Sequence, residues 1–348
     1  MPLPRLLAAA TLALATLSPT LTACSTGPGS GPDTGPDTAA PAAATTGSEA
    51  PAWPTHVLAI SVDGLGSAAL EQLGPDGAPT LHRLLTEGAG TLNARTEVEQ
   101  TVTLPNHASM MTGRRIDATR GGHGVTWDHD RPRSTVQKGA GHPVASIFST
   151  VHAAGGSTAL YSTKSKFALY DRSWPRGIDL FRVRENQRRL VAMARADLAD
   201  GAPEFTFLHV SLPDRFGHQY GGLSAEYLAA VERTDAQLGS LVRALAGTDV
   251  AVILTADHGF AAGVKDHSGR RNIQNYRIPF LVWGDGVATG DLYAMNDGFA
   301  DPGTTRTTYA GKQPVRNGDV ANLAASLLGL DAVPGSGIHA DQSLTVSD

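Results

Sequence analysis

"HVLAISVDG", residues 56–64, decides how the rest of this chain reads. An apolar run stops at Asp-Gly, the pattern of a buried strand that closes in a tight turn. Working outward, "STALYS" (157–162), "EFTFLHVSL" (204–212), "DVAVILTADHG" (249–259) and "YRIPFLVWG" (276–284) read the same way, and "TLNARTEV" (91–98) is a further strand candidate. Between them lie stretches with helical spacing. "PTLHRLLTEGA" (79–89) opens on Pro and closes on Gly, and "HPVASIFSTVHAAGG" (142–156) has a glycine stop. "QRRLVAMARADLADG" (187–201), "LSAEYLAAVERTDAQLGSLVRALAG" (223–247) and "NGDVANLAASLLGL" (317–330) are also helical. In the longest, Ser224 is the expected N-cap, with Glu226 near the third position. Strands alternating with helices predict an α/β fold with a mostly parallel central sheet and helices on both faces. In such a sheet a ligand binds beyond the carboxyl ends of the strands.

The amino-terminal end reads differently. Residues 1–23 carry Arg5 and then the short apolar run "LLAAATLALATL", which fits a secretory signal better than a membrane span. "LTAC" (21–24) looks like the lipobox of a bacterial lipoprotein, which makes Cys24 the lipidated residue and explains why the chain has a single cysteine. Residues 24–52 contain almost no large apolar side chain and predict a disordered tether. The folded domain is expected over 53–348, a length that supports one large α/β domain. The location that follows is export, with a lipid anchor on the outer face of the bacterial cell membrane. A net charge of −5 implies no basic surface for nucleic acid. Oligomeric state is left open.

The chemistry gathers at the predicted strand ends. Asp63 ends "ISVDG", Asp257 and His258 end "LTADHG", and Asp214 and His218 follow a strand in "PDRFGHQYG". Each alone is an ordinary turn, because Asp and Gly favour turns. Three at one sheet edge, two with histidine, point to divalent metal, since carboxylate and imidazole together suit zinc and its relatives. In "PDRFGH" the reading has Gly217 curl the chain so that Asp214 and His218 both face inward.

The ordered set "SVDG", "TLPNH", "PDRFGH" and "ADHG" resembles the alkaline phosphatase superfamily, in the branch of nucleotide pyrophosphatases and phosphodiesterases. The resemblance covers most of the chain after residue 55. It implies an alkaline-phosphatase-like catalytic domain with two divalent ions, most often Zn2+, roughly 4 Å apart, a spacing that clamps both oxygens of an in-line displacement. Carried over, Asp63, Asp257 and His258 would hold one ion. Asp214, His218 and one further histidine would hold the other. For that histidine His267, nine residues after His258, is favoured over His339. Thr103 of "TLPNH" matches the nucleophile and would also touch metal. Pro105 suits the first turn of the following helix, whose positive end favours an alkoxide. Asn106 would donate from its amide to a phosphoryl oxygen, and His107 would pack or cap. Two divalent ions would be balanced by three carboxylates and one alkoxide, so an anionic phosphoryl group would meet no net repulsion.

The expected activity is therefore two-metal hydrolysis of small-molecule phosphate esters, diesters or nucleotide pyrophosphates foremost, through a phospho-threonine. Phosphomonoesters and phosphonate C–P bonds are the alternatives within the superfamily, and a non-catalytic surface lipoprotein is the alternative outside it. Lesser candidates are His123, which lines the site or steadies a loop, and Lys164 and Lys166, which face a substrate anion or solvent. Arg114 and Arg115 are surface or phosphate-binding residues, and His209 is a satisfied core histidine.

Overall fold

Residues 55–347 are described by the computed structural model of the chain. The signal segment, Cys24, the tether and the expected domain start at Trp53 lie outside the described residues. Strands β1 (His56–Val62), β2 (Ala89–Arg95), β3 (Thr158–Ser162), β4 (Leu180–Val183), β5 (Phe205–Val210), β6 (Val250–Thr255), β7 (Arg277–Trp283) and β8 (Gly290–Asp291) form one sheet. Their order is β4-β3-β5-β1-β6-β7-β2-β8. Only β7 runs against its neighbours; every other pairing is parallel. β1 lies between β5 and β6, and from Val57 onward every one of its residues is buried. A strand dry on both faces explains why its sequence is a continuous apolar run and does not alternate.

The helices are α1 (Ser67–Gly77), α2 (Pro79–Glu87), α3 (Thr103–Thr112), α4 (Val136–Ala140), α5 (Ile147–Ala153), α6 (Ala168–Ser173), α7 (Gln187–Gly201), α8 (Leu212–Tyr220), α9 (Ala225–Leu245), α10 (Leu292–Met295) and α11 (Asp319–Leu327). One group, α3, α5 and α11, packs together, and α1, α2, α7 and α8 gather around α9. Among the described residues no helix is long and apolar enough to cross a membrane.

Most expected elements appear within a few residues of their predicted ends, and the differences have local causes. The helix expected from residue 142 begins at Ile147, because Ser146 and Ser149 form a reciprocal capping box there. Ser224 caps α9 through Tyr227 N at 3.2 Å, so Tyr227, not Glu226, holds the third position. The largest difference is α8. The curl expected in "PDRFGH" is a regular helix, which puts Asp214 and His218 four residues apart on one face. Gly217 serves a different purpose: a Cβ there would meet the Phe260 ring at 2.7 Å.

Candidate metal centre

Each acidic residue at the sheet edge is fixed through one oxygen and leaves the other free. Asp63 follows β1; its Oδ2 accepts from His209 Nε2 at 2.9 Å and lies 2.6 Å from Lys164 Nζ. Asp257 follows β6; its Oδ1 accepts from Gly64 N at 3.1 Å and His258 N at 3.0 Å. Asp214 sits in the first turn of α8, and its Oδ2 accepts from Lys164 Nζ at 2.6 Å. The remaining oxygens, Asp63 Oδ1, Asp214 Oδ1 and Asp257 Oδ2, are buried without a hydrogen-bond partner, as is His258 Nε2. All converge on that nitrogen, at 3.4, 3.8 and 3.3 Å respectively. A buried polar atom without a partner costs about 1–3 kcal/mol, so four pointed at one place form a cradle for a cation.

The main chain makes this convergence possible. Asp214 N donates to Asp63 O at 3.1 Å, which seats α8 against the end of β1. Gly64 between them has φ +77°, and a Cβ there would stand 2.9 Å from Asp214 Cα. Gln187, the first residue of α7, accepts from Ser211 N at 3.0 Å and Leu212 N at 2.8 Å, which satisfies the exposed donors at the start of α8.

The imidazoles follow one rule. His258 Nδ1 donates to Gly259 O at 3.2 Å, His218 Nδ1 to Lys265 O at 2.9 Å, and His267 Nδ1 to Thr101 O at 2.5 Å. Each therefore presents Nε2 to the carboxylates, the tautomer and orientation a metal ligand needs. His267 Nε2 is 3.1 Å from His218 Nε2 and 3.7 Å from Asp214 Oδ1, and His218 Nε2 is 3.4 Å from the same oxygen. Two buried triplets have ligand atoms close enough to share an ion: Asp63–Asp257–His258 and Asp214–His258–His267. The first is the set expected from sequence. In the second, His258 faces both groups, and His218 stands at the open side. His339 pairs with Asp319 instead and takes no part in either group.

Protonation reflects the crowding of charge. Burial, reinforced by the neighbouring Asp63 carboxylate, pushes Asp257 up to about 8. Burial also opposes a charge on Asp63, but Lys164, the hydrogen bond from His209 and the His258 imidazole close by hold its carboxyl well below the usual range. Burial works against charge on His258 too, yet Asp257, Asp63 and Asp214 raise it to about 9. His267, buried beside His258, is lowered to about 2 and is neutral. A divalent cation at this place would neutralise the same carboxylates and displace the histidine proton.

Thr103 is the first residue of α3 and is 1 % exposed. Thr101, two residues earlier, touches His267 through its carbonyl, and the Thr103 carbonyl accepts from His107 Nδ1 at 2.8 Å. That same nitrogen lies 3.6 Å from Asp257 Oδ2. The Thr101–Thr103 segment therefore borders both triplets. Asn106 is fully engaged elsewhere. Its Nδ2 donates to Gln100 O at 2.8 Å and Val102 O at 3.1 Å, while Oδ1 accepts from Glu97 N and Asn317 Nδ2. In this arrangement its amide secures the turn before Thr103, and donating to a substrate oxygen would break one of those bonds. His107 bridges Thr103 O and Ser61 Oγ inside the core.

Sequence reasoning named two further residues without the role the structure gives them. His209 is a core histidine, but its bond to Asp63 makes it the support of a site carboxylate. Its position on β5 directly opposite Ser61 of β1 brings it within reach of Asp63. Lys164 reaches one carboxylate of each half, and Lys166 pairs with Asp128 at 2.7 Å. His123 bonds Ser109 Oγ and Val125 N and steadies its loop. Arg114 holds the carbonyls of Gly121 and Pro334, and Arg115 pairs with Glu99.

Comparison with known proteins adds a family. The model for type I phosphodiesterase / nucleotide pyrophosphatase matches residues 57–277. GPI ethanolamine phosphate transferase 1 of Saccharomyces cerevisiae is 30% identical over 131 residues, covering 36% of this chain and 14% of the yeast protein. Its Aspergillus fumigatus counterpart is 36% identical over 137 residues, covering 36% and 13%. The match thus spans about a seventh of the length of these curated relatives. Among solved structures, murine ectonucleotide pyrophosphatase / phosphodiesterase 5, an inactive threonine-to-alanine variant in complex with AMP, aligns with TM-score 0.57 at 16% identity. It covers 83% of this chain and 99% of that one. The lipoteichoic acid synthase LtaP from Listeria monocytogenes aligns with TM-score 0.54 at 14% identity, covering 81% and 74%. At such identities the likeness is one of fold.

Proposed function

Because the chain belongs to the type I phosphodiesterase / nucleotide pyrophosphatase family, we propose that it cleaves phosphodiesters or nucleotide pyrophosphates, with Thr103 as nucleophile and two divalent ions, zinc foremost, as cofactors. Asp63, Asp257 and His258 would hold one ion and Asp214, His218 and His267 the other, with His258 near both. When bound, the ions supply Lewis acidity at the phosphoryl oxygens and lower the pKa of the attacking hydroxyl. The chain's own groups do the rest. Thr103, at the positive end of α3, attacks phosphorus; the Thr103 Oγ1–P bond forms and the ester bond to the leaving group breaks. The phospho-threonine is then resolved by water, which returns Thr103. Asn106 keeps the segment before Thr103 in place, and His209 holds Asp63 in register.

The observation that carries this reading is the convergence of three partnerless buried carboxylate oxygens with three imidazoles whose Nδ1 atoms are all tied to carbonyls. A rate panel tests it: bis-nitrophenyl phosphate, nitrophenyl phosphate and phosphonoacetate with wild type and Thr103→Ala. Diester cleavage should lead, and Thr103→Ala should lower it by roughly 10⁴–10⁶-fold, as removal of an enzyme nucleophile does. Faster turnover of the monoester or the phosphonate would move the assignment to those branches. Less than one ion per purified chain would favour a non-catalytic binding protein. A second reading has a specific motive, the transferase names of the curated relatives. In that case an alcohol, not water, accepts the phosphoryl group, and added ethanolamine or glycerol would divert the product. For the whole chain we propose export and lipid anchoring at Cys24, which globomycin-sensitive processing would reveal.

A further inference from the structure

We propose that the reaction pocket continues into a cationic groove that takes an extended polyanion, a substrate whose scissile phosphodiester is followed by further phosphate groups. The inference rests on the phosphodiesterase reading and names its substrate class. Next to Asp214 and His218 opens a cavity of about 520 Å³, lined also by Lys164, Lys166 and Arg215. It shares Glu185, Ser211 and Arg215 with a second cavity of about 270 Å³. That one shares Arg188 and Gln237 with a third of about 520 Å³, between α7 and α9. The three form one path leading away from the ligand cluster.

The lining is unusual for a chain of net charge −5. The third cavity carries Arg188, Arg195 and Arg233 and no carboxylate, and Glu185 is the one acid along the middle stretch. Some surface arginines pair with acids, as Arg83 does with Glu87, Arg172 with Asp130 and Arg277 with Glu71, and others stand singly; what sets the groove apart is that its arginines share one lining. Among the described residues Arg188, Arg195, Arg215 and Arg233 have no such partner. Three guanidiniums around one cavity repel each other unless an anion joins them, and arginine stays charged at any physiological pH. Arg188 and Arg195 are two turns apart on α7, roughly 10 Å along its axis, which spreads the charge lengthwise. On the α8–α9 side the Phe216 ring lies 4.7 Å from the Arg233 guanidinium and 5.5 Å from that of Arg215, close enough for its face to attract both charges. Overall charge gave no hint of this groove, because acids elsewhere outnumber it.

The test measures binding apart from turnover. Full-length Thr103→Ala protein is titrated with a fluorescein-labelled pentamer of glycerol phosphate and with the labelled monomer, by anisotropy, at two salt concentrations. The pentamer should bind at least roughly tenfold tighter, lose that advantage at high salt, and lose it again in Arg188→Ala/Arg233→Ala. In the otherwise wild-type enzyme the same pair of substitutions should raise KM for a nitrophenyl-capped pentamer while leaving bis-nitrophenyl phosphate unchanged. Equal affinity for pentamer and monomer, or a pentamer affinity indifferent to the two arginines, overturns the proposal. So does arginine-dependent binding to phosphatidylglycerol vesicles with no preference for the pentamer, which would make the face a membrane contact. If the pentamer binds through the arginines but no diester is cleaved, the groove stands and the phosphodiesterase reading falls.

Discussion

Asp63, Asp257 and His258 stand at the ends of β1 and β6 with no exposed side-chain surface, whereas Asp214 and His218 ride on one helix, His267 on a loop, and His218 leaves 49% of its side chain in water. The first group is held by the sheet itself: its spacing follows from the register of β1 between β5 and β6. The second is held by seating contacts, the Asp63–Asp214 backbone bond and the Gln187 cap, and it faces the open cavity. One half is therefore wholly dry, and the other is dry except at His218, which opens it to the cavity.

Four substitutions probe that contrast. Asp257→Asn should do the most harm. It keeps an oxygen for the Gly64 and His258 amides but puts an NH2 in place of the partnerless oxygen beside His258 Nε2, and an NH2 cannot hold a cation. We expect kcat/KM to fall by more than roughly 100-fold and bound zinc to drop, since a ligand should matter more than the outer partners whose loss typically costs 10–100-fold. Elemental analysis after dialysis checks it, and unchanged zinc with normal rate would break the assignment of the dry half. His218→Ala opens only the other half; as a ligand change it should weaken binding of one ion by about 100-fold, the top of the range for outer partners, with activity restored by excess zinc. His209→Gln keeps a donor near Asp63 but changes its reach, and an effect of about tenfold on metal affinity is expected. A loss equal to that of Asp257→Asn would mean that His209 ranks with the ligands.

The smallest effect concerns a group behind both halves. Glu97, whose main-chain N–H donates to Asn106, is raised to about 7 by burial, against the pull of Arg316 and Tyr309. A carboxyl with a folded pKa above its unfolded value, about 4.3, stabilises the fold most below that value, and the contribution is lost as pH climbs towards 7. Glu97→Gln should flatten that part of the stability curve between pH 4.5 and about 7 in urea titrations, with little change in kcat. A steeper curve in the variant would overturn the assignment.

The contrast also explains what was legible in the sequence. β1 and β6 announce themselves as unbroken apolar runs, so their terminal Asp63, Asp257 and His258 could be read directly. The other half was readable as residue types but not as geometry. "PDRFGH" contains Pro and Gly, which local rules assign to a turn, and only the Phe260 ring packed on Gly217 shows why a glycine sits inside a helix. His209 could not be told from a core histidine without strand order, because its partner is 146 positions away. Lys164 looked like surface for the same reason, and both of its carboxylates come from other elements.

β7 is the one reversed strand, so the chain between β6 and β7 leaves and rejoins the sheet on the same side. His258 and His267 both belong to that excursion. Residues could be added to or taken from it without shifting a single rung of the ladder beneath. Descendants of this gene thus have one place where the reach and shape of the reaction chamber can drift while the scaffold stays as it is.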